Sequence, residues 1–452
     1  MSSEELKKFS TAQLLNFCIG FFGLQFAWQM RIILSGPLTE SFGADALLFG
    51  LIWLAGPVTG IVVQPIIGAL SDNTQTPFGR RIPYLMGGAI LGAIGLSLLP
   101  NSAFLSSLCS GKISALVFAA IMIWIIDACV NAAQGPYRAL IPDNIPKEQH
   151  AVANSFLSFA IGLGSVIAAG TAPFLKWVCH YQMSTSAQFY MAAIAFLLGM
   201  TWTCLTIRER KIANTQTEKQ EVSEENKKTF MENMKEFFAI SPEVGKICTI
   251  QFFSWIGVMS LMIFFTQYVV HILHQVPDLT QISDTLQATY HNTVLGAQNF
   301  SSVCFAILNL VCFIIAIPIG KLAERFGNKK VHFVSLLLMA LAYVILAFVP
   351  GFISTAVAMA IAGIGWASIL ALPFAMLSKY IKEGTEGSVM GIFNIFIAAP
   401  QVLVCTVLAW FISVSKTTIN NLPNNHWEYA FLVGAVMLIL AAATTITVKE
   451  EK

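Results

Sequence analysis

Ile126-Asp-Ala-Cys-Val-Asn-Ala-Ala-Gln-Gly-Pro-Tyr-Arg-Ala-Leu-Ile-Pro142 lies in an otherwise apolar run, and its few polar side chains decide how the chain reads. At about 100° per residue, Asp127, Asn131, Gln134 and Arg138 fall within a sector of roughly 60° on one helix face. A carboxylate or guanidinium at membrane depth costs several kcal/mol unless it faces protein or water. Such groups mark solute or proton pathways.

Working outward, the chain of 452 residues is 56% hydrophobic and only 11% charged. Soluble domains carry about 25% charged residues. Apolar windows long enough to cross a hydrocarbon core of about 30 Å recur throughout. They cover 14–35, 47–70, 82–99, 113–141, 152–177, 189–207, 247–273, 300–319, 331–349, 353–377, 388–414 and 430–448. The expected fold class is therefore an all-α membrane protein of twelve transmembrane helices. The first window is too long and too polar for a signal peptide and stays as structure.

Lys and Arg placement orients the chain. With the amino terminus inside, 21 of the 26 basic residues fall on inner loops and termini. Only Lys112, Lys176 and Lys416 lie outside, and Arg31 and Arg138 lie within windows. Both termini are expected in the cytoplasm. The net charge of +2 follows from this topology and gives no reason to expect a nucleic-acid partner. The nine cysteines are scattered without a Cys-x-x-Cys pair, so neither a disulfide framework nor a metal site is expected.

Residues 1–207 and 247–452 form two six-helix halves, joined by a polar linker at 208–246 that is too short for a signalling domain. Gly68-Ala-Leu-Ser-Asp72, with Phe78-Gly-Arg-Arg81, is echoed by Gly320-Lys-Leu-Ala-Glu-Arg-Phe-Gly327. Gly135-Pro-Tyr-Arg-Ala-Leu140 is echoed by Leu372-Pro-Phe-Ala-Met-Leu377. Parallel repeats of six spans are the plan of a carrier with its site between the halves. Along that second echo Asp127, Asn131, Gln134 and Arg138 meet Ile364, Ser368, Ala371 and Ala375. The proline and apolar frame occur twice and the charges once, which points to function.

Leu51-Ile-Trp-Leu-Ala-Gly-Pro-Val-Thr-Gly60 through Gly68-Ala-Leu-Ser-Asp72 and Phe78-Gly-Arg-Arg-Ile-Pro83 resembles the sucrose–proton symporter branch of the major facilitator superfamily, as do Gly23-Leu-Gln-Phe-Ala-Trp28 and Gln134-Gly-Pro-Tyr-Arg-Ala-Leu140. Gly365-Trp-Ala-Ser-Ile-Leu-Ala-Leu-Pro-Phe-Ala-Met-Leu377 resembles bacterial members. The resemblance implies the major facilitator fold and proton-coupled uptake of a glycoside or related sugar. It implies Asp127 as the proton-responsive carboxylate and Arg138 as its essential partner. The chain departs from that branch at Arg31, where the branch has glutamine, and around Phe265-Thr266-Gln267, where its acidic residues are replaced. An added cation at Arg31 suits an anionic solute such as a sugar acid.

The expected solute-binding set is Arg138, Asn131, Gln134, Gln25, Trp28 and Arg31. Aromatic faces and amides suit hydroxyl recognition, while Arg31 at the outer end of the first window also reads as a snorkelling arginine. The expected gate is Asp72, Gly79, Arg80 and Arg81 with Glu324 and Arg325, Asp72 facing the start of the eleventh helix near Ser388. His271 and His274 read as a solvated helix end. No cofactor or metal is expected beyond the coupling proton, with sodium as second choice. The expected setting is the plasma membrane, a bacterial inner membrane, in a monomer whose partners are the lipid bilayer and a small polar solute. An organic-anion carrier is the alternative within transport, and a non-transporting nutrient sensor is the alternative from another class. No Ser/His or paired-carboxylate arrangement suggests an enzyme.

Overall fold

The computed structural model describes residues 8–146, 149–207, 209, 230–380 and 386–449. Most of the 208–246 linker therefore lies outside the described residues, apart from Glu209, a helix at Phe230–Ala239 and the start of the seventh span. Among the described residues, twelve helices are long and apolar enough to cross a membrane. Spans 1 to 6 are Thr11–Ser41, Ala46–Asn73, Ile82–Leu108, Ala115–Ile141, Val152–Val178 and Thr185–Thr206. Spans 7 to 12 are Pro242–Leu273, Asp284–Phe326, Asn328–Phe348, Phe352–Ser378, Ile392–Val414 and Tyr429–Thr447.

Helix packing shows the repeat that the sequence only hints at. In the first half span 1 packs on 5 and 6, span 4 on 2 and 3, and span 3 on 6. In the second half span 7 packs on 11 and 12, span 10 on 8 and 9, and span 9 on 12. Each contact has its counterpart six spans later. Between halves, span 5 meets 8, span 2 meets 11 and span 1 meets 7.

With no hydrophobic drive between helices in lipid, close packing depends on small residues and hydrogen bonds. At Gly23 an added Cβ would stand 2.3 Å from the Ala195 carbonyl oxygen, so spans 1 and 6 approach closely there because glycine leaves room. Tyr137 on span 4 donates to the Phe17 carbonyl of span 1 at 2.6 Å, which fixes the next residue, Arg138, beside that helix.

Span 1 outruns its apolar window, starting from a capping box at Ser10 and Gln13 and running through Pro37 to Ser41. The Ser35 hydroxyl donates to the Arg31 carbonyl and that of Thr39 to the Ser35 carbonyl, so polar side chains turn back onto their own helix. Span 8 has 43 residues, about 65 Å at 1.5 Å per residue, twice the hydrocarbon thickness. A short hairpin, Lys416–Ile419 with Leu422–Asn425, joins spans 11 and 12. Asn420 and Asn421 both have positive φ, as a type I′ turn requires.

Here "inner" denotes the end bearing Arg80 and Arg81, and "outer" the opposite end. Among the described residues, the hydrogen bonds joining the halves lie at the outer end or midway. Glu40 of span 1 accepts from span 7 and the turn beyond it, Thr185 donates to Gln298 of span 8, and Asn309 of span 8 donates to Gln29. Toward the inner end Arg138 on span 4 and Ala371 and Ala375 on span 10 are exposed although each lies within a span. The two halves are thus tied together at the outer end and midway, and no hydrogen bond among the described residues joins them at the inner end.

Candidate functional site

Midway through the first half, Arg31 Nη2 of span 1 lies 2.6 Å from Asp127 Oδ2 of span 4, and both side chains are fully buried. The guanidinium carbon lies 4.2 Å from the Trp53 ring centroid and 5.4 Å from that of Trp28. Burying two charges is costly unless each finds its opposite and further hydrogen bonds. The second requirement is met only in part: Arg31 Nε and Nη1 and Asp127 Oδ1 are buried without a protein partner. Donors and an acceptor thus sit side by side against two indole faces. The amide nitrogen of Gln29 is likewise buried without a protein partner, while its oxygen accepts from Asn309 Nδ2 at 3.2 Å. That bond brings the second half to the edge of the cluster.

The pairing corrects the placement of Arg31. It is neither an interfacial snorkelling residue nor a spare cation for an anionic solute, because its charge is matched by Asp127. The stripe on span 4 also divides. Asn131 Nδ2 donates to Thr59 Oγ1 at 2.8 Å and to the Gly56 carbonyl at 3.3 Å, and its Oδ1 accepts from Gln64 at 2.8 Å. Three of its four hydrogen-bonding positions are taken up by span 2, a helix–helix contact that leaves one lone pair on Oδ1. Gln134 lies on the edge of the same network, 3.5 Å from Gln64 Nε2. Gln25 is turned toward span 5, where it donates to Ser165 at 3.1 Å. Trp28 remains at the cluster.

Arg138 stands apart from Asp127, eleven residues and about 16 Å along one helix. Its guanidinium carbon lies 5.6 Å from the Phe21 ring, and no carboxylate pairs with it among the described residues. It is exposed toward the inner end, as are Ala371 and Ala375, the span 10 counterparts of Gln134 and Arg138. Ile364 and Ser368 complete the counterpart of the stripe, with Ser368 Oγ 2.8 Å from His332 Nδ1 of span 9.

At the inner end the expected gate residues form a clasp within the first half. Arg81 pairs with Asp143 and with Asp72 at 2.8 Å, donates to Ser71 and offers its backbone N–H to Glu209. Arg80 pairs with Asp143 at 2.7 Å. Gly79 takes φ +120°, and a Cβ there would strike the Glu209 side chain. Asp72 is 57% exposed and pairs with Arg81 among the described residues; the Ser388 side chain lies outside them. Glu324 and Arg325 are exposed at the inner end of span 8, with Arg325 over Phe326 at 5.2 Å.

Trp53, Asn309 and Glu40 were missed by sequence reading. Trp53 lies within the Leu51–Gly60 motif with no local sign of which residue it meets, and Glu40 fell beyond its apolar window. His271 is corrected as well: it is fully buried and bonded to Glu40 instead of solvated.

Residues 19–289 match the MFS/sugar transport protein family and residues 247–452 match the Major Facilitator Superfamily. The general alpha-glucoside permease of Schizosaccharomyces pombe is 25% identical, with 97% of this chain and 94% of the permease aligned. Sucrose transport protein SUT2 of Oryza sativa subsp. japonica is 26% identical, with 84% of this chain and 83% of that protein aligned. The fold matches that of the nucleoside transporter NupG with a TM-score of 0.67 at 12% identity, over 97% of this chain and 99% of that one. It matches the D-xylose-proton symporter with a TM-score of 0.63 at 16% identity, over 98% and 99%. Twelve paired spans, a buried polar cluster within the first half and a family match over more than half the chain agree: this is a multi-pass membrane protein of the major facilitator superfamily, in the MFS/sugar transport protein family.

Proposed function

We propose that the protein carries a glycoside or related sugar across the membrane together with a proton, by alternating exposure of the Arg31–Asp127 cluster. The observation that carries this reading is the buried pair itself. Arg31 Nε and Nη1 can donate to solute oxygens, Asp127 Oδ1 can accept from a hydroxyl, and Trp28 and Trp53 offer apolar faces. That mixture of apolar surface with a few directed polar groups suits a sugar. Protonation of Asp127 would discharge its hold on Arg31 and free the guanidinium for the solute, so solute and proton would travel together. Deprotonation toward the inside would restore the pair and expel the solute. Relatives named for sucrose and alpha-glucosides support the sugar class.

In this reading the protein works as a monomer in a bacterial inner membrane with both termini inside, and the proton takes precedence over sodium because one carboxylate supplies no oxygen cage. The organic-anion reading rests now on Arg138, whose guanidinium meets no carboxylate among the described residues.

The test is uptake into proteoliposomes with neutral glycosides and with sugar acids, recording external pH. Solute-driven alkalinisation by a neutral glycoside, absent in Asp127→Asn, is the expected result. Undiminished alkalinisation in that variant would falsify the assignment, and uptake of sugar acids alone would favour the anion carrier.

A further inference from the structure

The outer closure holds a second pair of ionisable groups, far from the central cluster. Glu40, 3% exposed at the end of span 1, accepts three hydrogen bonds from the other half of the molecule. Gln267 Nε2 donates to Oε2 at 2.5 Å, His271 Nε2 lies 2.9 Å from the same oxygen, and the Leu279 backbone N–H donates to Oε1 at 3.0 Å. His271 is fully buried, stacked on Trp427 at 5.1 Å with an 11° tilt. Span 1 is thereby tied to span 7 and to the turn after it.

The geometry fixes how many protons the pair holds. His271 Nδ1 lies 2.9 Å from the Val276 carbonyl oxygen, which can only accept, so Nδ1 carries a hydrogen. A neutral imidazole with that tautomer would turn the lone pair of Nε2 toward a carboxylate oxygen. A contact of 2.9 Å therefore needs a second proton between Nε2 and Oε2, whether imidazolium faces carboxylate or imidazole faces carboxylic acid.

We infer that Glu40 and His271 form a proton-binding lock on the outer gate, which closes fully only when the pair holds this extra proton. In the open gate both groups meet water, where Glu titrates near pH ~4.3 and His near ~6.5. Between those values the open pair already holds the proton, and closure moves none. Above about 6.5 the open pair lacks it, so each closure takes one proton from the outer water and each opening returns it there. The ratio of closed to open molecules then falls roughly tenfold per pH unit, the slope for one linked proton.

The other titratable groups around the lock have partners of their own. The Asp278 carboxylate accepts from the Thr280 backbone N–H and hydroxyl. His426 and Glu428, either side of Trp427, pair at 2.6 Å. His274 Nδ1 faces the Val269 carbonyl, and Asp45 caps the first helix of span 2. The inference rests on alternating exposure but not on Asp127 as the coupling group, because this proton enters and leaves at the outer face and is not carried across.

The test uses the full chain in lipid nanodiscs. Spin labels replace exposed Lys112 and Lys416 on opposite sides of the outer mouth, with Cys109 and Cys179 changed to serine. Electron–electron distance distributions from pH 5 to 9 should show the closed population constant to about 6.5 and then falling with a one-proton slope. His271→Gln keeps a donor toward Glu40 without a titrating group and should flatten the profile, as should Glu40→Gln. A flat profile in the protein with both groups intact overturns the inference without recourse to any variant. A slope that persists in His271→Gln overturns it too, since another group would then own the proton. Solute-driven alkalinisation reports separately on Asp127, so either reading can fail alone.

Discussion

Arg31 stands with its guanidinium carbon 4.2 Å from the Trp53 ring centroid while its Nη2 is 2.6 Å from Asp127 Oδ2. The cation has exchanged water for one carboxylate and an aromatic face, so removing the carboxylate alone strands it. Asp127→Asn should lower stability by about 3–5 kcal/mol, the cost of breaking one side of a buried pair. Arg31→Met combined with Asp127→Leu removes both charges and should recover most of that loss while abolishing transport. Thermal unfolding in detergent would measure both. Losses that simply add in the double variant would show that the two groups do not depend on each other.

Trp53 should separate recognition from packing. A desolvated cation–π contact is worth about 2 kcal/mol, and Trp53 also meets Phe49 edge-on at 5.9 Å. Trp53→Phe keeps an aromatic face and should cost about 1 kcal/mol or less, with a small rise in KM. Trp53→Ala leaves a cavity beside a charge and should cost about 3–5 kcal/mol, with KM raised at least about tenfold. Paired KM and melting measurements test this, and equal KM values for Phe and Ala would remove Trp53 from the solute site.

What could be read from the chain follows from what lipid demands locally. A hydrocarbon core requires a run of apolar residues wherever the chain crosses it, so the spans and their repeat were visible in the linear order. Asp127 was conspicuous for the same reason. Arg31 was conspicuous too, but their pairing was not, because the two lie 96 residues apart and only tertiary packing joins them. The first window closed near Ser35 since Pro37, Thr39 and Glu40 resemble a loop; the helix continues because hydroxyls of Ser35 and Thr39 bond back to it. Helical spacing put Asn131 on the same face as Asp127, yet spacing does not name the neighbour, and span 2 took its amide. The Asn420-Asn421 turn was the one missed element with a local signature.

Gly79 tests the inner clasp. Its φ of +120° strains any L side chain, and a Cβ would collide with Glu209, which holds the Arg81 backbone N–H. Gly79→Ala should cost about 1–3 kcal/mol from the backbone alone and loosen the Arg81–Asp143–Glu209 network. Hydrogen exchange over residues 79–84 should rise by at least about tenfold. Unchanged protection there would mean that the clasp does not depend on this turn.

Gly50 tests whether the closed outer end belongs to the transport cycle. It sits on span 2 where that helix meets span 11, and a Cβ there would stand 2.3 Å from both the Cys405 carbonyl oxygen and Ala409 Cβ. Both obstacles sit on a packed helix of the other half, so neither can swing aside as a long side chain would. Gly50→Val should therefore hold the halves apart outside and shift the population toward an outward-open form, in which the inner opening closes. A cysteine placed at Ala375, exposed toward the inner end of span 10, should then react at least about tenfold more slowly with a membrane-impermeant maleimide added from the inner side. Net uptake should fall with it. Full labelling of that cysteine in Gly50→Val would mean that the span 2–span 11 contact does not govern which side is open.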